Sequence, residues 1–178
     1  MKNRTVKELN RIALSAAVTA VCSWISVPAA VPFTMQSFAV FTLSALFGGR
    51  CGFFAVLVYM LLGAAGVPVF SGGRGGLGIL FGETGGYLFG FLAGAAVCGA
   101  ICKKNKSTPV MIGAMLLCLA LCYGVGCAWV MVLYHGKQQT LGVVAILSRY
   151  VLPFIVPDLM KIALSVFTVK AVSKRKSL

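Results

Sequence analysis

Acidic side chains are almost missing. Glu8, Glu83 and Asp158 are the only carboxylates, against sixteen lysines and arginines. Histidine occurs once, at His135. Three scattered carboxylates and one distant imidazole are a thin inventory for acid–base catalysis. No GxxxxGKS/T is present, so the chain carries no phosphate cradle of its own for ATP. HExxH and GxSxG are missing too, which removes the zinc-protease and serine-hydrolase readings. The seven cysteines contain no CxxC. With a single histidine they make no zinc-binding pattern. They sit in apolar runs, where a free thiol behaves as a small hydrophobe.

What is abundant is apolar. Such residues make up 60% of the 178, and the mean hydropathy is +0.97. Soluble domains hold about 45–50%, so the composition predicts an integral membrane protein. A spanning helix needs about 20 residues. The length therefore accommodates about six helices in a single transmembrane domain, 1–178, set in a lipid bilayer. A net charge of +13 would suggest a nucleic-acid partner in a soluble protein. Here the cations fall at the ends of apolar runs, where they report topology, and no nucleic-acid partner is expected.

In order, Met1 to Arg11 is basic and reads as a cytoplasmic amphipathic lead-in. Ile12 to Val27 is the first expected span. A cleaved signal peptide is set aside, because the run is long and Ala29-Ala30 makes a poor cleavage site. Ala13, Ala16, Ala17 and Ala20 form overlapping small-x3-small pairs, which let another helix approach closely. The other helix could belong to this chain or to a partner. Pro28 and Pro32 end the run. Ser37 to Phe47 and Cys51 to Gly66 are two short spans, which tilt or sit in a thinned region. Phe70 to Gly86 is dense in glycine and holds a literal GxGxxG at Gly73, Gly75 and Gly78. The dinucleotide motif needs a preceding strand and a soluble βαβ helix, and neither is indicated. Such glycines instead let backbone pack closely or present N–H groups to a ligand.

Thr84 to Ile101 is the fourth expected span, with Gly82, Gly86, Gly90 and Gly94 in a four-residue repeat that reads as a packing seam. Val110 to Leu133 is the fifth. Leu141 to Val172 holds the sixth, and Pro153 and Pro157 should break it, so that the helix starts near Asp158. Six spans put both termini on one side. Lys2, Arg4, Lys7, Arg11, Arg50, Lys103, Lys104, Lys106, Lys170, Lys174, Arg175 and Lys176 then lie inside, against Arg74, Lys137 and Arg149 outside. That bias predicts cytoplasmic termini.

Asp158 and Lys161 lie within the last apolar run. A charge at mid-bilayer costs about 3 kcal/mol on insertion scales and usually faces a cavity or a partner. Spacing of three puts both on one helix face. The pair reads either as a structural bridge or as one end of a polar site. A small acid with a polar ring needs one or two cations and a few donors and acceptors. Arg74 and Lys161 supply the first. Asp158, Gln36, Thr34, Thr84 and loop N–H groups supply the second. A membrane enzyme using Asp158 and Lys161 as acid and base, and a stand-alone ion-coupled transporter, are the competing classes.

Several segments together resemble the BioY family, the biotin-specific S components of energy-coupling factor transporters. They are Pro32-Phe33-Thr34-Met35-Gln36; Gly66-Val67-Pro68-Val69-Phe70 with Gly72-Gly73 and Gly75-Gly76; Thr84-Gly85-Gly86-Tyr87; and Asp158-x-x-Lys161. Two departures stand out. Glu83 replaces a usual proline, and Val156-Pro157 replaces a usual Pro-Gly. The resemblance implies an all-α, six-helix S-component bundle in a bacterial plasma membrane that captures biotin from outside, with biotin as cargo and no cofactor. It implies docking of the Ala13/Ala16/Ala17/Ala20 surface on a transmembrane coupling subunit driven by two cytoplasmic ATPases. It also implies a site built from Asp158, Lys161, Arg74, Gly75, Gly76, Glu83, Gln36 and Thr34, with Tyr87, Phe33 and Phe70 as apolar wall. An S component for another vitamin is the nearest alternative.

Overall fold

A computed structural model describes residues 2–28, 31–136 and 142–175. The Ala29-Ala30 pair, most of the expected loop 134–140 with Lys137, and Lys176 lie outside the described residues. The chain is a bundle of helices: α1 (Lys2–Trp24), α2 (Gln36–Phe47), α3 (Gly49–Ala64), one-turn α4 (Leu77–Leu80), α5 (Gly85–Lys104), α6 (Thr108–Gly136), α7 (Val143–Tyr150) and α8 (Leu152–Arg175). Two short strands, β1 (Ser26–Val27) and β2 (Phe33–Thr34), pair antiparallel. Among the described residues, α5, α6 and α8 are long and apolar enough to cross a membrane. The apolar α2 and α3 are shorter, at 12 and 16 residues. At 1.5 Å per residue they reach about 18 and 24 Å, short of the roughly 30 Å hydrocarbon core. α1 has the length, but its first half is charged.

From Gly86 onward the glycine seam does what its spacing predicts; Gly82 precedes the helix, and a Cβ there would meet the Gly78 carbonyl oxygen instead. α5 lies at the centre of the bundle, against α2, α3 and α6. A Cβ on Gly90 would stand 2.6 Å from the Cys122 Cα, and one on Gly94 or Gly86 would strike Cys118 or Trp129. These contacts bring α5 and α6 backbone to backbone, the arrangement small residues allow in membranes. Cys98, Cys102, Cys118 and Cys122 are buried and act as small core residues.

Three boundaries differ from expectation. The basic lead-in is not separate but is the first half of α1, which is continuous from Lys2. The first span ends at Trp24, because Ser26–Val27 is taken up by the β pair. The last apolar run is two helices, and α8 begins at Leu152, not at Asp158. Pro153 falls in the first turn, where no N–H is required. Pro157 is inside the helix. It lacks the N–H that would bond the fourth residue back and its ring crowds that carbonyl, yet the helix runs on through it. Asp158 therefore sits within α8 rather than at a helix start.

At one end of the bundle, Lys7, Arg11, Arg50 and Lys103 line a common cleft. Arg50 is paired there with Glu8 at 3.2 Å.

Candidate functional site

A cluster of buried polar groups, Gln36, Ser37, Asp158 and Lys161, lies where the start of α2 meets α8 and α6. Met35 N donates to Ile25 O at 3.1 Å, and Gln36 N donates to Thr34 Oγ1 at 3.3 Å. This tight turn after β2 presents the Thr34 carbonyl to α8. Lys161 Nζ donates to that carbonyl at 2.7 Å, to Ser37 Oγ at 3.1 Å and to Asp158 Oδ1 at 2.8 Å. Three donors thus meet three acceptors. Asp158 Oδ1 also accepts from Ser37 Oγ at 2.9 Å, and Oδ2 accepts from Tyr123 OH at 2.6 Å. Asp158 and Lys161 are 6% and 5% exposed. A buried ion survives at such depth only when paired and fully hydrogen-bonded. The Phe33 ring lies 4.0 Å from the ammonium and adds cation–π attraction on its apolar side.

This network forms one wall of a partly open cavity with about 80 Å³ of accessible interior. Thr34, Gln36 and Ser37 line it from the α2 side, and Asp158 and Lys161 from α8. Tyr123 closes it from α6. Tyr59, Phe70, Tyr87, Leu88 and Phe91 supply apolar surface. Gln36 is buried, yet its Nε2 has no hydrogen-bond partner among the described residues. A buried amide donor left unpaired costs about 1–3 kcal/mol, which a ligand acceptor would recover.

The loop between α3 and α5 contributes Ser71, Arg74, Ile79 and Thr84 to the lining. Arg74 is exposed, with its Nε donating to Ser71 O at 3.1 Å. Gly75 and Gly76 do not line the cavity. Gly76 N donates to Gly63 O at 2.7 Å, and a Cβ on Gly75 would meet Val67 O at 2.5 Å. They seat the loop on the end of α3. Gly76 has φ +103, so a side chain there would also be strained. Glu83 lies outside the lining as well. Its carboxylate accepts from Tyr134 OH and Tyr150 OH, both at 2.8 Å. Tyr87 faces the cavity and donates to Tyr150 O at 3.1 Å. Phe33 packs on Lys161 from outside the lining. Among the described residues, no group of three or more His, Cys, Asp or Glu is placed to hold a metal ion.

The four alanines of α1 divide. Ala13 and Ala17 are exposed and in line on one face. Ala16 is 3% exposed, and Ala20 packs against the same core. The latter two belong to the chain's own packing, so the outward stripe is narrower than the spacing suggested.

Ser37, Tyr59 and Tyr123 were not foreseen. Tyr123 gave a signal: it is one of few hydroxyls inside the apolar run of α6. Ser37 adjoins Gln36, but nothing local marks it as a partner of a residue 121 positions away.

Comparisons with known proteins fit this geometry. A family model described as the BioY family matches residues 1–177. A biotin transporter BioY of Thermotoga maritima is 35% identical over 161 residues, covering 90% of this chain and 92% of that protein. Biotin transporter BioY2 of Lactococcus lactis is 46% identical over 115 residues, 63% of each. Among solved structures, the S-component for biotin from an ECF-type ABC transporter aligns with a TM-score of 0.83 at 25% identity. That alignment covers 98% of this chain and 94% of the other. The chain belongs to the BioY family.

Proposed function

We propose that this chain captures biotin and carries it across the membrane as the S component of an energy-coupling factor importer. It is a transport subunit and not an enzyme. The observation that carries the reading is the buried Asp158–Lys161 pair at the wall of a cavity, in a chain whose relatives are named biotin transporters. Biotin has a ureido ring, a carboxylate and an apolar middle. Asp158 and Lys161, with Ser37, Tyr123 and Thr34 around them, hold one polar end. Gln36 adds a donor, and Arg74 supplies a second cation at the loop. Tyr87, Phe70 and Phe91 enclose the apolar part, and Phe33 supports Lys161. Gly75 and Gly76 act by fixing the loop.

α1, α2, α3, α5, α6 and α8 cross the plasma membrane of a bacterium, with both termini in the cytoplasm. The gathering of Lys7, Arg11, Arg50 and Lys103 at one end supports that orientation. A transmembrane coupling subunit and two cytoplasmic ATPases complete the importer, and Ala13 and Ala17 offer a close-packing stripe to the first. The test is uptake of labelled biotin in cells that lack their own transporter. Uptake with this chain plus the coupling subunit and ATPases, and none when the ATPases are inactivated, is the expected result. Uptake indifferent to the ATPases overturns the partner assignment, and no uptake in any combination overturns the transport reading.

A further inference from the structure

The loop between α3 and α5 is fastened by side chains at both ends and by backbone alone in its middle, where Gly76 N donates to Gly63 O. At its start, Phe70 fills the space left by Gly63 and stands edge-on to Tyr59, with ring centroids 5.4 Å apart. Trp24 Nε1 donates to Pro68 O at 2.8 Å beside it. At its far end, Trp129 Nε1 donates to Gly82 O at 2.9 Å, and Glu83 takes one tyrosine hydroxyl on each carboxylate oxygen. Gly72, Gly73, Arg74, Gly75, Leu77 and Gly78 between these anchors are exposed.

The two anchors differ in kind. Phe70 is 2% exposed, so the first is apolar and deep. Past the buried Leu80, the second anchor is polar and half-buried. Segments held by few buried apolar contacts open at the lowest free energy. The Glu83 end is therefore the one that yields first. Its neighbours make this matter to the cavity. Thr84 is the next residue and lines it; Tyr87 lines it too and leans on the Tyr150 carbonyl. One carboxylate thus ties the loop to the end of α6 and the end of α7, at the edge of the cavity.

We propose that Glu83 is a positioning residue that latches the loop to Tyr134 and Tyr150 and so sets how long biotin stays bound. This rests on the biotin reading above. Glu83 need not touch the ligand. It acts by holding Thr84 and Tyr87 in place, so its loss should speed departure without slowing arrival.

The experiment is a chase of labelled biotin from the purified full chain with excess unlabelled biotin, alongside measured association rates. Glu83→Ala should release biotin about tenfold faster or more, with association no slower. Glu83→Gln keeps one acceptor oxygen and should fall between. Tyr150→Phe removes one of the two bonds but keeps the carbonyl that Tyr87 uses, and should give a smaller acceleration. The double variant Glu83→Ala/Tyr150→Phe should release no faster than Glu83→Ala alone, because both act through one contact. Unchanged release from folded Glu83→Ala, or an affinity loss confined to slower association, overturns the proposal. If Glu83→Ala does not fold, Tyr150→Phe decides in the same way. Retention of biotin by the unsubstituted chain separates the two claims: without it the biotin reading fails, and the latch with it; with it and unchanged release, only the latch fails.

Discussion

Replacing Asp158 by asparagine separates a binding pair from a packing device. The carboxylate now accepts three hydrogen bonds, from Ser37, Lys161 and Tyr123. An amide keeps one acceptor oxygen and turns the other position into a donor. The Lys161 ammonium, 5% exposed, loses its counter-charge. Breaking a buried pair from one side costs about 3–5 kcal/mol. Hydrogen bonds to charged groups contribute about 1.5–3 kcal/mol each. Loss of even one such bond to ligand, at about 1.4 kcal/mol per decade, weakens biotin binding about tenfold; loss of two weakens it about a hundredfold. The assay is equilibrium binding of labelled biotin to purified Asp158→Asn, with its thermal midpoint measured in parallel. The double variant Asp158→Asn/Lys161→Met removes both charges and should regain much of the lost stability, since no ion is then left unpaired. It should not regain biotin. Recovery of both stability and binding in the double variant, or binding within about threefold of the parent in the single one, would refute the site assignment.

Gln36→Leu removes a buried donor that lacks a partner, so the thermal midpoint without ligand should hold or rise. Biotin affinity should fall about fivefold, one neutral hydrogen bond of about 1 kcal/mol, as titration would reveal. Arg74→Gln, at an exposed position, should weaken binding less than Asp158→Asn, and the difference from the parent should shrink in high salt. Gly90→Ala places a methyl against the Cys122 backbone and should cost about 1–3 kcal/mol, seen as a lower thermal midpoint. Gly113→Ala, with nothing within 4 Å of the added carbon, is the neutral control. In a cysteine-free background, Ser71→Cys should react with an impermeant thiol reagent from outside the cell, and Ser107→Cys only after the cell is opened. The reverse pattern would invert the proposed topology.

Most of the helical frame was legible because glycine and proline punctuate the apolar runs. Gly48 separates α2 from α3, and Asn105 with Lys106 separates α5 from α6. The Gly86/Gly90/Gly94 repeat announced the α5–α6 contact without any knowledge of α6. The last run misled for a physical reason. Pro157 looks like a stop, because an interior proline removes a bond and crowds the carbonyl four residues back, but α8 continues through it while packed on α2. Asp158 and Lys161 were recognisable as one helix face from their spacing. Their completing partners were not, since Ser37 and Tyr123 lie 121 and 35 residues from Asp158. Glu83 was singled out as a charge in the loop and as a departure from a usual proline. Its tyrosines are 51 and 67 residues away, and no local pattern links them. Sequence likewise grouped four alanines that the helix divides between an inner and an outer face.

The most direct measurement is native mass spectrometry of the full chain purified from biotin-fed cells, with the released small molecule identified by its mass. Biotin at up to one molecule per chain, diminished in Asp158→Asn, is the expected result. A different vitamin in that position, or a chain that stays empty after incubation with saturating biotin, would contradict the assignment of this cavity.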